Sequence, residues 1–175
     1  GIVSNNFFSD IIINGSNNNG IELDGANNTQ IIENNIFQNI EIYGVAKEDV
    51  FLVGHSQNNS FINVSYSLLR ENVTENSSLI RKWYVDVNIT NSSSAVSGAS
   101  VSLSNVTGSS YLSGTTDASG LIQGIEVIEY VNDGGIRKYY NNHSVYANKS
   151  LEDGIVSVNI STNRIVSSGN EVQVM

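Results

Sequence analysis

The sequence predicts an all-β protein in two parts: the C-terminal turns of a parallel β-helix, followed by an antiparallel β-sandwich. Three observations predict this fold. Residues 1–69 carry a 29-residue repeat, the repeat consists of short β-type runs separated by Asn and Gly, and from residue 79 the chain alternates between apolar and polar residues. A fixed period of this size is typical of a solenoid, whose turns bury their apolar faces on one another.

Four columns of residues keep their chemistry when the sequence is shifted by 29 positions. They are Val3, Ile32 and Phe61; Asn5, Asn34 and Asn63; Phe8, Phe37 and Tyr66; and Ile11, Ile40 and Leu69. Asn carries both a donor and an acceptor, so its column predicts a ladder of hydrogen bonds along the stack. The alternative is that Asn tolerates left-handed backbone at a turn. Both roles are structural.

Each repeat contains three β-type runs, which indicates three strands per turn. The predicted strands are Ile2–Phe8, Asp10–Asn14 and Gly20–Asp24, then Ile31–Phe37, Asn39–Tyr43 and Asp49–Val53. Leucine-rich repeats need Leu at fixed spacing and helical repeats need a 3.6-residue period; the sequence has neither pattern.

The runs Asn5–Phe8 and Asn34–Phe37 share the pattern N-N-x-F. With this pattern, residues 1–69 resemble the right-handed β-helix repeats of the pectate-lyase-like and NosD-like superfamily. The resemblance implies a fold far more than an activity.

The polar residues 70–78 are predicted to be a linker, and residues 79–175 a sandwich of short strands. In Trp83–Thr90 the odd positions are apolar, as in a strand covered on one face. Further strands are predicted at Ser100–Asn105, Gly120–Tyr130, Ser144–Asn148, Gly154–Ser161 and Glu171–Val174. Trp83 is expected in the core.

Two segments, V-S-G-A-S-V-S-L at Val96–Leu103 and T-T-D-A-S-G at Thr115–Gly120, are similar to motifs of carboxypeptidase-regulatory-like, transthyretin-like domains with an Ig-like sandwich. The pattern departs from that family after Tyr130. The resemblance implies a non-catalytic spacer or display domain. A β-helix followed by such a sandwich, rich in Asn and Ser, resembles archaeal cell-surface proteins.

The chain has a formal charge of −9 and no basic stripe, which argues against binding to nucleic acid. No apolar run approaches the roughly 18 residues of a membrane span. Because the sequence starts within a repeat, we expect the Gly1 face to be covered by more chain or by self-association with another subunit.

Asn-x-Ser/Thr sequons indicate an extracellular, cell-surface location. The chain has twelve, whereas its 26 Asn and 33 Ser and Thr predict roughly five by chance. Asn63 is expected to be unmodified because it also belongs to the ladder column. The predicted glycosylation sites are Asn14, Asn27, Asn58, Asn72, Asn76, Asn88, Asn91, Asn105, Asn142, Asn148 and Asn159. The absence of Cys favours an archaeal surface over a disulfide-bonded secreted protein.

No catalytic constellation, metal site or cofactor site is predicted. The acids of residues 1–69 scatter over different repeat columns, and Lys47 is the only Lys or Arg there. Lys47–Asp49 is interpreted as a solvated corner, with weak Ca²⁺ binding as the alternative. His55 and His143 are expected on the surface, and Arg81–Lys82 and Arg137–Lys138 as solvated pairs.

These observations favour a structural, N-glycosylated surface coat, adhesin or filament subunit. One alternative is the non-catalytic C-terminal part of a secreted polysaccharide-processing or polysaccharide-binding β-helix enzyme. Acids and bases recurring in one groove-facing column would favour that alternative. A simple sugar-binding adhesin, which would display exposed aromatic residues and retain surface polysaccharide, is the third.

Overall fold

The computed structural model describes residues 1–25, 30–91, 94–149, 152–158, 164–168 and 173–174. The described fold is all-β, with both parallel and antiparallel strand pairs and a short 3-10 turn at Leu68–Arg70. The chain divides into two compact units. Unit 1 comprises Gly1–Lys82 and Tyr130–Tyr139, and unit 2 comprises Trp83–Glu129 and Tyr140–Met175.

Unit 1 consists of short strands that pair in parallel from one turn of chain to the next. Its first eight strands are β1 (Ile2–Ser4), β2 (Phe7–Asn14), β3 (Ile21–Gly25), β4 (Ile31–Glu33), β5 (Ile36–Tyr43), β6 (Val50–Gln57), β7 (Asn59–Ser65) and β8 (Glu71–Val73). They form three parallel ladders: β1-β4-β6, β2-β5-β7 and β3-β6-β8. We call each successive set of three strands a coil.

The register agrees with the 29-residue repeat between the first two coils and departs from it in the third. Phe8 pairs with Phe37, as the repeat predicts. Phe37 then pairs with Phe61 and not with Tyr66, so the spacing falls to 24 residues. The predicted third members of the four columns are therefore wrong: Phe61, for example, follows Phe37 and not Ile32.

The spacing between register partners falls from 29 to 24 residues because the single strand β6 takes part in two ladders. Its first half pairs with β3, ending at Gly25 with Gly54, and its second half pairs with β4, starting at Ile31 with His55. Residues 26–30 of the first coil therefore have no counterpart in the second. The chain passes from one ladder to the next directly at Gly54, whose φ of +73° lies in the left-handed region that favours glycine.

The core of unit 1 lies between the three ladders. Its buried residues include Ile40, Val50, Leu52, Phe61 and Val64. The rings of Phe8, Phe37 and Phe61 stack in register, with centroids 5.0 and 4.8 Å apart. A continuous apolar column of this kind fixes the register, because a slip by one residue would turn its side chains outward.

Two long strands contribute to both units: β9 (Ser78–Asn91) and β13 (Leu121–Asp133). In unit 1, the start of β9 pairs in parallel with β7, and the end of β13 forms a hairpin with β14 (Ile136–Tyr139). The remaining strands are β10 (Ser94–Ala95), β11 (Ser100–Ser104), β12 (Ser110–Thr115), β15 (His143–Lys149), β16 (Glu152–Val158), β17 (Arg164–Ser168) and β18 (Gln173–Val174).

Unit 2 contains an antiparallel sheet in the order β12-β11-β15-β16. Its apolar cluster combines residues of this sheet, such as Leu103 and Val145, with Trp83, Val85 and Val127 from β9 and β13. The predicted core position of Trp83 is confirmed, since the residue is 3% exposed. The sequence predicts antiparallel strands only, whereas β17 pairs in parallel with β9.

The T-T-D-x-x-G segment forms a tight turn within unit 2. The Asp117 carboxylate accepts the backbone N–H of Ser119 and of Leu121, at 2.8 and 2.9 Å. Gly120 has a φ of +76°, and a side chain there would meet the Ile89 carbonyl oxygen at 2.5 Å. The motif is thus explained by turn geometry.

The units differ from the domain boundaries predicted at residues 69 and 79. Residues 70–78, predicted as a linker, include strand β8, which pairs with β6 as part of the third coil. Unit 1 also includes Tyr130–Tyr139, which lie far along the sequence. The sequence does not reveal that this segment belongs to unit 1, because it has the alternation of an ordinary strand.

Candidate functional site: ladders, capping cluster and exposed face of unit 1

An asparagine ladder runs through unit 1, but its members are Asn6, Asn35 and Asn59 and not the predicted Asn5, Asn34 and Asn63. The Asn6 side-chain N–H donates to Asn35 Oδ1 and the Asn35 side-chain N–H donates to Asn59 Oδ1, each at 2.9 Å. The same two oxygens accept the backbone N–H of Asn6 and of Asn35. Asn35 and Asn59 are almost fully buried, so these bonds satisfy polar groups that water does not reach.

The predicted ladder residues Asn5 and Asn34 occupy left-handed backbone, with φ of +58° and +56°. This agrees with the alternative role of Asn at turns. The first Asn of each N-N pair therefore makes the bend and the second makes the ladder. The doublet itself was the signal that could have separated the two roles.

Asn63, in the middle of β7, belongs to a second ladder. Its side-chain N–H donates to Asn39 Oδ1 at 2.9 Å, and the Asn39 side-chain N–H donates to the Asp10 carboxylate at 3.1 Å. All three residues have a φ between +52° and +57°. Each therefore bends its strand at the same position within its coil.

Some apolar side chains are exposed on the first coil, whereas their register partners in the later coils are buried. Phe8 is 41% exposed, whereas Phe37 and Phe61 beneath it are 6% and 0% exposed. Ile11 is likewise exposed above the buried Ile40, whereas Phe7 and its partner Ile36 are both exposed and point away from the core. Phe8 and Ile11 thus form an apolar face on which a further coil can stack.

A buried polar cluster, which we call the capping cluster, adjoins the third coil and consists of Tyr66, Glu71, Tyr130, Asn132 and Arg137. The Tyr66 and Tyr130 hydroxyls both donate to Glu71 Oε2. Glu71 Oε1 accepts Asn132 Nδ2 at 2.7 Å and Arg137 Nε at 2.8 Å. The Glu71 side chain is fully buried, so these four donors replace the water that a carboxylate would otherwise bind.

Burial of this cluster holds both phenols in their protonated form. It raises the pKa of Tyr66 and of Tyr130, and the negative charge of Glu71 acts in the same direction. Deprotonation would place a second negative charge beside a buried carboxylate. The tyrosines are therefore hydrogen-bond donors, and the cluster joins residues from distant segments of unit 1.

Arg81 ends the aromatic column, and the prediction that it is solvated is wrong. It pairs in register with Phe61, is 5% exposed, and lies 4.6 Å from the Tyr66 ring centroid. Arg137, also predicted to be solvated, forms the ion pair with Glu71. Sequence reasoning missed both, because their partners come from distant segments.

Most predicted glycosylation sites lie at accessible positions. The exposed ones are Asn14, Asn58, Asn72, Asn76 and Asn142; the half-buried ones are Asn88, Asn91 and Asn148. Asn27 and Asn159 lie outside the described residues. Asn105 is different, since it is 6% exposed and its Oδ1 accepts three hydrogen bonds from Thr107 and Ser109. A glycan there would require this turn to open.

Two residues predicted to be solvated or on the surface, Asp49 and His143, are buried, whereas Lys47 of the predicted corner is exposed. Asp49 is 3% exposed; it accepts the Ser67 N–H at 2.8 Å and forms an ion pair with Arg70 at 3.3 Å. His143 is fully buried, 5.4 Å from the Tyr111 ring. Among the described residues, no group of three or more acidic or histidine side chains is arranged to hold a metal ion.

Comparison with known proteins adds no family. No protein-family model matches the chain, and no curated protein and no solved structure match it either. Within the described part of the chain, no helix has the length and apolarity needed to traverse a bilayer. The fold and the ladders thus define an all-β protein with a stacked parallel unit.

Proposed function

We propose that this chain is a structural, N-glycosylated protein of an extracellular surface, serving as part of a coat, adhesin or filament. In this proposal unit 1 is the C-terminal part of a right-handed parallel β-helix of the pectate-lyase-like kind. Unit 2 is a transthyretin-like β-sandwich that spaces or displays it, as in archaeal cell-surface proteins. The three parallel ladders and the stacked Phe and Asn columns support the first assignment, and the shared apolar cluster of two sheets supports the second.

The observation that carries the proposal is the apolar face of the first coil. Phe8 there lacks the cover that Phe37 and Phe61 have, and no strand in the described part of the chain pairs with the outer edge of β2. An exposed apolar strand edge pairs readily with another chain. We propose that a further coil covers it, supplied by more of the same chain or by a second copy. Where a second copy supplies it, the contact joins unlike surfaces, repeats from copy to copy and builds a filament.

The distribution of acids supports a structural role over the enzyme alternative. In the columns that line the outer faces, Glu22 is followed by Phe51 and Asn72, and Asp24 is followed by Val53. Glu33 is followed by Gln57. A polysaccharide-cleaving site built on the ladders would need paired carboxylates, or a base with acids, recurring in one column, and these columns do not supply them. Glu22, Lys47 and Glu48 line one groove, but from different columns.

Sedimentation velocity over a range of concentrations tests self-association. We expect the wild-type chain to form larger species as its concentration rises, and Phe8→Lys to abolish this by placing a charge in the apolar face. Phe7→Lys is the matched control, since Phe7 is 60% exposed but lies outside the Phe stack. A wild-type chain that stays monomeric at high concentration would contradict the assembly proposal.

A further inference from the structure

A groove on the outer face of unit 1 contains one of the sequon asparagines. It has a volume of about 460 Å³, within the roughly 300–1,000 Å³ of sites that hold small ligands. Phe51 and Asn72 both line it. The two residues are register partners on β6 and β8, so their side chains stand next to each other on the same face of the ladder.

The buried residues next to Phe51 and Asn72 on their strands show that these two side chains point outward. Val50 and Leu52, on either side of Phe51, are fully buried in the core. Their partners Glu71 and Val73 likewise point inward. Because successive side chains of a strand alternate between faces, Phe51 and Asn72 point outward. Phe51 is half-buried and thus presents part of its ring to the groove.

The polar walls of the groove are held in place before any ligand arrives. Asn19 Oδ1 accepts the Glu48 backbone N–H at 3.0 Å, and Asn19 Nδ2 donates to the Glu22 carboxylate at 2.9 Å. Lys47, which is exposed, adds a cationic donor to the same lining. Carboxylate and ammonium groups beside an aromatic ring are the partners that sugar hydroxyls and an apolar sugar face require.

We propose that the groove holds the first sugar of an N-linked glycan carried by Asn72, with the apolar face of that sugar on the Phe51 ring. This inference rests on the proposed function and adds that one particular glycan belongs to the fold. Asn72 is exposed, and its side-chain amide makes no hydrogen bond with any described residue, so its nitrogen is available. The sequon is completed by Thr74.

The attachment needs a lipid-phosphate-linked oligosaccharide as donor and a transferase of the producing cell. A bond forms between Asn72 Nδ2 and C1 of the sugar, while the bond between C1 and the phosphate oxygen breaks. The amide nitrogen gives up one proton, and the lipid phosphate departs with the electron pair of the broken bond. No oxidant or reductant takes part.

The test combines site mapping by mass spectrometry of native material with thermal unfolding of glycosylated variants. Thr74→Ala removes the Asn72 sequon without changing Asn72, and Ser60→Ala removes the sequon of exposed Asn58 as the matched control. We expect occupancy at Asn72, a lower Tm for T74A by roughly 2–4 °C, and little change for S60A. In an F51L background, T74A should lower the Tm much less.

Each outcome bears on a different statement. A bare Asn72 beside other occupied sequons overturns this inference and leaves the glycoprotein proposal standing; no occupied sequon overturns both. An equal T74A effect with and without F51L also overturns the inference. If F51L does not fold, the proton NMR spectrum of the wild-type glycoprotein decides, because stacking on Phe51 shifts sugar protons upfield and unshifted sugar signals contradict the contact.

Discussion

The Asn35 side-chain amide donates to the Asn59 side-chain oxygen at 2.9 Å, between two residues that are each 2% exposed or less. Asn35 also donates to the Val3 carbonyl and accepts two bonds from Asn6. One side chain thus joins three coils. A buried polar group with all of its partners satisfied specifies a single register.

Asn35→Ala should lower the free energy of unfolding by about 2–4 kcal/mol, because it removes the four hydrogen bonds of this side chain. The Asn6 backbone N–H then has no partner, and buried Asn59 Oδ1 keeps only the backbone N–H of residue 35. Asn17→Ala, at an exposed asparagine, is the matched control and should change it by less than about 0.5 kcal/mol. Urea denaturation followed by far-UV circular dichroism measures both. Similar midpoints for the two variants would show that the ladder does not stabilise the fold.

Deletion of residues 26–30 should leave unit 1 folded. The second coil already passes from Gly54 to His55 without these residues, and Gly25 can adopt the φ of +73° that Gly54 has. Shortening a connection changes the closure entropy only slightly. Circular dichroism should show an unchanged spectrum and a Tm within a few degrees of the wild type; loss of the cooperative transition would refute the register.

Alkaline pH should destabilise unit 1 through Tyr66 and Tyr130. Burial raises the pKa of both phenols above the unfolded value of 10.0, so the unfolded chain releases protons at a pH where the folded chain retains them. Their contribution is complete below about pH 10 and is lost as the pH rises further. Urea midpoints measured from about pH 8 to pH 11 should fall, and fall less steeply in the Tyr66→Phe, Tyr130→Phe double variant.

Mild acid should destabilise unit 2 through His143. Burial lowers the pKa of this imidazole below the unfolded value of 6.5, while an interaction with the Ile128 backbone opposes the shift. The unfolded chain therefore binds a proton first, and stability present above about pH 6.5 is lost as the pH falls. Fluorescence of Trp83, the single tryptophan, reports this unit. His143→Gln should flatten the pH dependence, and an unchanged slope would exclude His143 as its source.

The sequence predicted the parts of the fold that depend on neighbouring repeats. Val3 over Ile32 and Phe8 over Phe37 were predicted and observed, because those coils have the same length. The third coil was misregistered because a 29-residue shift cannot detect that residues 26–30 lack a counterpart. With that shift, Tyr66 aligns with Phe37 in the sequence although it does not pair with it in the structure.

The capping cluster could not be predicted because its partners are distant in sequence. Tyr130 lies 59 residues from Glu71, and Arg137 lies 66 residues away. On its own strand each residue has the appearance of an ordinary surface position. Arg81 shows the same limit, because the Tyr66 and Tyr130 rings beside this buried residue come from other segments of the chain.

Negative-stain electron microscopy of native material recovered from cell surfaces tests the central proposal most directly. We expect regular filaments or sheets whose repeat corresponds to one copy of the chain, with Phe8 buried at each junction. Dispersed single particles, in material that carries its glycans, would contradict an assembly role and return weight to a secreted enzyme or adhesin.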